Sequence, residues 1–338
     1  SITDGIYLNG GDIWIERIYF KNDDMRGESC LNDCLQKGMF KVNLKPKSKT
    51  LIYLLGAGGI KREEVISFLS RFGERDRLEA LYSKERSRRE ELLGDFYSRT
   101  GAKHYDWLSW LILSADSFIV LRRRLERKSI IAGYHWFEDW GRDTLISLPG
   151  LTLATRRFSD AEEILLTFAE YSENGLLPSR FPDRAAGSPE YYSVDTSLWF
   201  FNAILQYIKY TGNYRFVYRH LWDLMQDVIE RYIEGRTPLN IRMDSDGLIF
   251  HGPRLTWMDA TVNSSPVTPR EGKAVEIQAL WYNSLKLMEI LSYRFGSHSQ
   301  SEDYRILALR AKSSFNEKFW YGDGGYLYDV ICEDMSDA

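Results

Sequence analysis

A loop at residues 133–144 combines side chains that could bind and cleave a sugar. It holds Trp136, Asp139, Trp140, Arg142 and Asp143. Charged side chains are rarely buried without a partner, so this cluster would be costly in a core. Carboxylates and guanidinium groups hydrogen-bond hydroxyls, and flat rings with an apolar face suit stacking on sugars. We interpret the loop as part of a ligand site; the alternative is a salt bridge from Arg142 to Asp143 or Asp139 that caps the next helix.

Two further loops place similar residues just before a predicted helix. In residues 174–199, Asp195 stands where an N-cap would, so capping is its structural alternative. Trp257 and Asp259 are two residues apart, which in an extended segment puts ring and carboxyl on one side. An apolar ring beside a carboxylic acid disfavours the anion, as the general acid of a glycosidase requires. Glu276 belongs either to this site or to an exposed first helical turn.

Helices must position these loops, because apolar residues recur at helical spacing from residue 104 onward. The pattern predicts a mainly α region over 104–338 with about seven amphipathic helices and no sustained heptad seam. Ser159 and Glu162 have the spacing of a capping box at one helix start. Short and long connections alternate, which is typical of helix hairpins standing in a ring with one functional face.

The earlier part of the chain has a different texture. Residues 1–60 alternate like strands around a predicted turn at Asn9, Gly10 and Gly11, and we interpret them as the end of a β-sandwich-like domain. Residues 61–103 are rich in charges of both signs and predict a solvated linker helix. Further on, residues 244–247 predict a hairpin turn rather than a calcium loop, since the other ligands are missing.

Composition limits the partners and the compartment. The 338 residues include 44 basic and 48 acidic side chains and no basic block, which argues against nucleic acid. No apolar run approaches the ~18 residues of a membrane helix, so no membrane partner is predicted. Cys30, Cys34 and Cys332 form no disulfide framework, which favours the cytoplasm. We find no metal-ligand spacing and no phosphate-binding motif, and predict no cofactor.

Taken in order, these motifs resemble the amylo-α-1,6-glucosidase domain of archaeal and bacterial glycogen debranching enzymes. The resemblance lies in residues 132–151, 174–183, 191–201, 255–260 and 272–283. It implies an (α/α)6 toroid in which long loops at one end of the inner helices form the site. It also implies hydrolysis, with inversion, of α-1,6-linked glucose at the branch points of glycogen or limit dextrin.

The resemblance also assigns roles to individual residues. Asp259 would be the general acid. The glucose subsite would contain Trp136, Asp139, Trp140, Arg142, Asp143, Asp195 and Trp257, with Glu276 nearby. Family members often have Pro at the position of His135. Because the toroid has twelve helices, we expect an incomplete one here, with further helices and the general base beyond residue 338; an inverting enzyme holds that base ~6.5–9.5 Å from the acid.

Two other functions fit the same residues. A glucoamylase-like or trehalase-like α-glucosidase would use the same fold, because fold alone does not fix the linkage cleaved. A non-catalytic α-glucan-binding protein would use the same tryptophans and carboxylates as a binding groove. Release of glucose from limit dextrin but not from maltose would indicate debranching rather than a glucoamylase-like or trehalase-like activity. Hydrolysis of any glucan would exclude the non-catalytic binding protein.

Overall fold

The chain is mainly helical, as predicted, in a computed structural model. The structure describes residues 5–25, 27, 29–47, 49–57, 61–122, 126–134, 137–182 and 188–332. It divides into two compact units, Ser1–Gly94 and Asp95–Ala338. None of the helices in the described ranges is both long and apolar enough to cross a membrane.

In its described residues, the first unit contains one antiparallel strand pair and charged helices. Its elements are β1 (Ile6–Tyr19), α1 (Lys21–Met25), β2 (Leu31–Lys41), α2 (Arg62–Phe72) and most of α3 (Arg75–Thr100). The turn predicted at Gly10 and Gly11 is wrong: β1 continues through it with a register shift between Asn9 and Ile13. Gly11 has a φ of 71°, so it makes a bulge in the strand rather than a reversal of the chain.

Two helices, α2 and α3, occupy the region in which one charged linker helix was expected. Helix α2 ends at Phe72 and α3 begins at Arg75, so Gly73 and Glu74 separate the two helices. Along α3, Arg86 bonds Glu90 and Arg89 bonds Glu85 across one helical turn. Exposed pairs of this spacing each contribute about 0.3–0.5 kcal/mol to stability. They therefore stabilise the solvent-exposed surface of α3 only modestly.

The second unit is built from helices joined by short antiparallel strand pairs. Its helices are α4 (Asp106–Phe118), α5 (Gly141–Leu148) continued by a π-helical turn (Pro149–Leu153), α6 (Phe158–Glu170), α7 (Asp195–Thr211), α8 (Tyr214–His220), α9 (Trp222–Glu234), α10 (Val275–Arg294) and α11 (His298–Lys318). Its strands are β3 (Ile119–Arg122), β4 (Arg127–Ile130), β5 (Asp139–Trp140), β6 (Arg180–Phe181), β7 (Ile241–Met243), β8 (Ile249–His251), β9 (Thr261–Val262), β10 (Ser265–Pro266), β11 (Lys273–Ala274), β12 (Trp320–Tyr321), β13 (Tyr326–Leu327) and β14 (Val330–Ile331). The pairs are β3–β4, β5–β6, β7–β8, β9–β10, β11–β14 and β12–β13.

Helix α7 lies at the centre of this unit. It packs against α5, α6 and α10. Phe200, Phe201 and Ile204 on α7 have no solvent exposure. A helix that is apolar around most of its circumference is one that neighbours enclose, and α7 therefore fixes the positions of the helices around it.

Local contacts decide two helix starts differently from the sequence patterns. The capping box predicted at Ser159 is wrong, because α6 begins at Phe158 and no side chain caps it. Glu162 instead accepts hydrogen bonds from Tyr207 and Asn213. The N-cap of α7 is Val194 and Asp195 is the first helical residue, so Asp195 is not the capping residue that its position in the sequence suggested. The hairpin turn predicted at residues 244–247 is confirmed between β7 and β8.

Gly141 allows α5 to begin against the segment before α7. Its N–H donates to Ser179 O at 2.9 Å. A Cβ at Gly141 would clash with Pro178 O and lie 2.7 Å from Thr196 Cγ2. The sequence therefore needs glycine here, because any side chain would push α5 and the start of α7 apart.

We expect Gly141→Ala to lower the free energy of unfolding by about 1–3 kcal/mol, the range for overpacking a close contact. Gly150→Ala is the control, because nothing lies within 4 Å of a Cβ there and Gly150 is also helical. Urea unfolding of both variants measures the difference. Equal stabilities for the two variants would contradict the close approach at Gly141.

Candidate active site

The starts of three helices and one loop carry the predicted site residues. In chain order these are Trp140, Arg142 and Asp143 at α5, Asp195 at α7, Trp257 and Asp259 in the loop 252–260, and Glu276 at α10. Helix N-termini leave backbone N–H groups without helical partners and carry partial positive charge, which favours nearby carboxylates.

A buried ion pair joins the starts of α5 and α7. Arg142 Nε and one terminal nitrogen donate to the two carboxylate oxygens of Asp195, at 2.5 and 3.0 Å. Asp195 is only 2% exposed. Burial by itself lowers the pKa of Arg142, but the hydrogen bonds and charge of Asp195 outweigh it and the pKa is raised, with smaller contributions from Asp259 and Asp143. Arg142 is therefore a cation held by Asp195, with the charges of Asp259 and Asp143 also acting on it.

Asp259 lies within electrostatic reach of this pair and of Tyr192. Burial raises the pKa of Tyr192 to about 12; the charges of Glu190 and Asp259 raise it too, while Arg180 and Arg142 oppose them. Asp259 thus acts on both Arg142 and Tyr192. Its own side chain is half-buried. Together these residues form a cluster with one cation, two acidic groups and a protonated phenol.

Trp140 and Tyr192 give the cluster an aromatic side. Their ring centroids are 6.4 Å apart with planes at 78°. The Arg180 guanidinium lies 5.6 Å from the Trp140 ring and binds Glu190 at 2.7 Å. Aromatic rings next to hydrogen-bonding groups are the combination that sugars require, since a sugar has both apolar faces and hydroxyl edges.

Arg142 and Asp143 both line a cavity. The cavity has a volume of about 390 Å³, within the range of small-molecule sites. It is lined by Phe118, Ile130, Ile131, Ala132, Arg142, Asp143, Ile146, Ser147 and Leu151. Neighbouring atoms remove part of the hydration of Asp143, and this raises its pKa although the side chain remains exposed. Most of the cavity lining is apolar, and its charged residues are Arg142 and Asp143.

Trp257 and Glu276 lie around a second arginine, Arg270. The chain bends at Thr256 and Trp257 instead of running extended, so side-chain alternation does not orient Trp257 and Asp259. The Trp257 ring is 56% exposed, with the Arg270 guanidinium 5.8 Å from its centroid. Glu276 accepts two hydrogen bonds from Arg270, at 2.5 and 2.8 Å.

Asp139 is the predicted site residue with the most enclosed carboxylate. It is 1% exposed and accepts a hydrogen bond from Arg122 Nε at 2.9 Å. Arg122 also donates to Phe181 O at 2.7 Å. This ion pair ties β3 to the β5–β6 pair that leads into α5. Trp136, like His135 and Asp183, lies outside the described residues.

The match to a family model covers all of these positions. The model is that of amylo-α-1,6-glucosidase, and it matches residues 113–338. The chain belongs to this family. Every predicted site residue lies inside the matched range, together with Tyr192 and Arg270.

Individual relatives are distant. The glycogen debranching enzyme of Saccharomyces cerevisiae is 25% identical over 210 residues, which cover 46% of this chain and 14% of the yeast protein. Two solved rhamnosidases are similar in structure. One, from Bacillus sp. GL1, is 18% identical with a TM-score of 0.41 and covers 58% of this chain and 19% of that chain. The other, from Klebsiella oxytoca with rhamnose bound, is 16% identical with a TM-score of 0.46 and covers 60% of this chain and 36% of that chain.

Three residues near the candidate site were missed by sequence reasoning. Tyr192 lies three residues before Asp195 in a stretch already recognised, so its position offered a signal. Arg270 lies in a charged turn between Pro269 and Gly272, which gives a weaker one. His251 gave no signal, because an isolated histidine in a short strand has no periodic or spaced partner.

His251 is fully buried. Its Nδ1 is 2.8 Å from Gly252 O, and because a carbonyl only accepts, Nδ1 carries the proton. Burial lowers the pKa of His251; the nearby charges of Glu276 and Asp195 raise it and that of Arg270 lowers it. The ring is therefore neutral at pH 7 and adds no charge to the site.

This lowered pKa predicts a pH dependence of stability. Below the ordinary histidine value of 6.5 the unfolded chain takes up a proton that folded His251 resists, so the free energy of unfolding falls as the pH drops. We expect His251→Asn to remove up to about 1.4 kcal/mol per pH unit of this slope between pH 6.5 and 5. Urea titrations of the variant, the wild type and the exposed control His220→Asn measure it. An unchanged slope in His251→Asn would contradict the prediction.

Proposed function

We propose that this chain is a glycoside hydrolase that removes α-1,6-linked glucose from the branch points of glycogen or limit dextrin, with Asp259 as its general acid. We further propose that the helices of residues 104–338 belong to an (α/α)6 toroid and that the reaction proceeds with inversion. The protein is proposed to act in the cytoplasm, which its free thiols at Cys30, Cys34 and Cys332 favour. No cofactor enters the proposal.

The observation that supports this proposal is the backbone hydrogen bond from Val194 N to Leu255 O, at 2.8 Å, which holds the segment leading to Asp259 against the start of α7, where Arg142 binds Asp195. The charge of Asp259 acts on Arg142, and all these residues lie inside the range that matches the amylo-α-1,6-glucosidase family. Fold similarity alone would not support it, because one fold serves many substrates. The cluster supplies a positioned carboxyl, a rigid cation for sugar hydroxyls and the Trp140 and Tyr192 rings. These components would bind the glucose unit and protonate its leaving oxygen; inversion needs a second carboxylate as well.

In the proposed mechanism, the carboxyl of Asp259 transfers its proton to the glycosidic oxygen as the bond from that oxygen to C1 breaks. A second carboxylate removes a proton from water, which attacks C1 from the opposite face and gives inverted glucose. Arg142 binds hydroxyl groups of the glucose unit, and its ion pair with Asp195 prevents it from moving as charge develops. Water exclusion by the aromatic side would strengthen both interactions.

The test is a comparison of substrates, in which free glucose is measured after incubation with limit dextrin, maltose and trehalose. Release from limit dextrin, with little from the two disaccharides, supports the proposal. Comparable release from maltose would make the chain a glucoamylase-like α-glucosidase, and release from trehalose a trehalase-like one. Glucan binding with no release from any substrate would instead indicate an α-glucan-binding protein.

A further inference from the structure

Arg270 has an unusually complete set of partners. It is 3% exposed. Its Nε and one terminal nitrogen bind the carboxylate of Asp329, at 2.9 and 2.7 Å. Its two terminal nitrogens bind Glu276, at 2.5 and 2.8 Å, and one of them also donates to Thr256 Oγ1 at 3.1 Å. Each edge of the guanidinium therefore holds one carboxylate, an arrangement that lysine cannot reproduce.

These contacts connect Arg270 to the segment that carries Asp259. Thr256 Oγ1 accepts a hydrogen bond from Arg270 and another, at 3.4 Å, from the backbone N–H of Met258. Met258 is the residue directly before Asp259. Leu255 O accepts from Val194 N at 2.8 Å, next to Asp195. The first two residues of the segment 255–259 are thus held by the start of α7, at Leu255, and by Arg270, at Thr256.

The backbone at Arg270 supports a specific role. Its φ is 49°, in the left-handed region that a non-glycine residue adopts at a cost. Asn263 and Ser264 also have positive φ, but they form the two-residue turn between β9 and β10, in which that conformation is normal. Arg270 belongs to no such two-residue turn, and its hydrogen bonds to Thr256, Glu276 and Asp329 offset part of the cost of this conformation.

We propose that Arg270 is a positioning residue: by binding Thr256, Glu276 and Asp329 together, it fixes the direction in which the segment 255–259 presents Trp257 and the Asp259 carboxyl. This inference rests on the proposed function for its catalytic consequence. Its structural part, the immobilisation of residues 255–259, does not depend on the proposed function.

The catalytic part is tested by steady-state kinetics of glucose release from limit dextrin. Arg270→Lys keeps the charge but loses the fork, and we expect kcat to fall 10–100-fold with KM changed less than threefold, because a small misplacement of the reacting group costs rate rather than binding. Arg270→Gln should fall further, so that lysine rescues part of the loss. Arg157→Lys is the matched control, since Arg157 also binds two acidic residues, Asp116 and Asp160, away from the site.

A second measurement, hydrogen exchange of the amides of residues 254–259, needs no activity. Arg270→Gln should increase their exchange at least tenfold, and Arg157→Gln should not. If wild type releases no glucose, the proposed function fails, and exchange alone decides the positioning role. Unchanged exchange in Arg270→Gln, an equal increase in Arg157→Gln, or equal kcat for Arg270→Lys and Arg157→Lys in an active protein would overturn the inference.

Discussion

Asp259→Asn should reduce glucose release from limit dextrin by about 10²–10⁴-fold, the contribution of a positioned general acid, while glucan affinity changes less than threefold. Asparagine has nearly the shape of the carboxyl but supplies no acidic proton, so the bond to the leaving oxygen breaks without assistance. Initial rates of glucose release and calorimetric titration with limit dextrin measure the two effects on the same sample.

The control for this substitution is Asp227→Asn. Asp227 lies on α9 and is bound by Arg231 on the same helix. The control variant therefore also loses an ion-paired carboxylate, but one outside the candidate site. We expect its glucose release to stay within twofold of wild type. If Asp259→Asn keeps more than a tenth of the wild-type rate, Asp259 is not the general acid. Loss of binding together with turnover would make Asp259 a binding residue instead.

Arg142→Met should lower the free energy of unfolding by about 3–5 kcal/mol, because it leaves the buried carboxylate of Asp195 without its partner. It should also abolish glucose release, since the cation that holds the glucose unit is gone. Urea unfolding and the limit-dextrin assay measure these effects. A stability within 1 kcal/mol of wild type would show that the Arg142–Asp195 pair does not hold α5 and α7 together.

Two further variants separate stability from function at this pair. Arg142→Met combined with Asp195→Leu replaces both charges, and we expect it to recover most of the stability but none of the activity. Arg231→Met breaks the more exposed pair with Asp227, and its effect should stay below about 1 kcal/mol. Recovery of glucose release in the double variant would contradict the assignment of Arg142 to substrate binding.

The sequence predicts the loops of the candidate site because each combines tryptophans and carboxylates directly before an apolar helical pattern. It does not predict the pairing of their charges. Sequence reasoning offered Asp143 or Asp139 as the partner of Arg142, but its partner is Asp195, 53 residues away, and Asp139 pairs with Arg122. Such pairs depend on which helices become neighbours, and local spacing carries no record of that.

The same limit explains the errors in local structure. Ser159 and Glu162 have capping-box spacing, yet Tyr207 and Asn213 compete for Glu162 from another part of the fold. Gly10 and Gly11 can form a turn or a bulge, and strand pairing with β2 selects the bulge. Where no distant contact competes, as in the hairpin at residues 244–247, turn residues alone were sufficient.

The most direct test of the central claim, that the helix starts around Arg142 and Asp259 hold a glucose unit, is a crystal structure of the wild-type chain soaked with the glucose analogue 1-deoxynojirimycin. We predict that its ring lies against Trp140 or Tyr192, with the Asp259 carboxyl and Arg142 both within hydrogen-bond distance. An analogue bound elsewhere on the chain, with no contact to Asp259 or Arg142, would contradict the account.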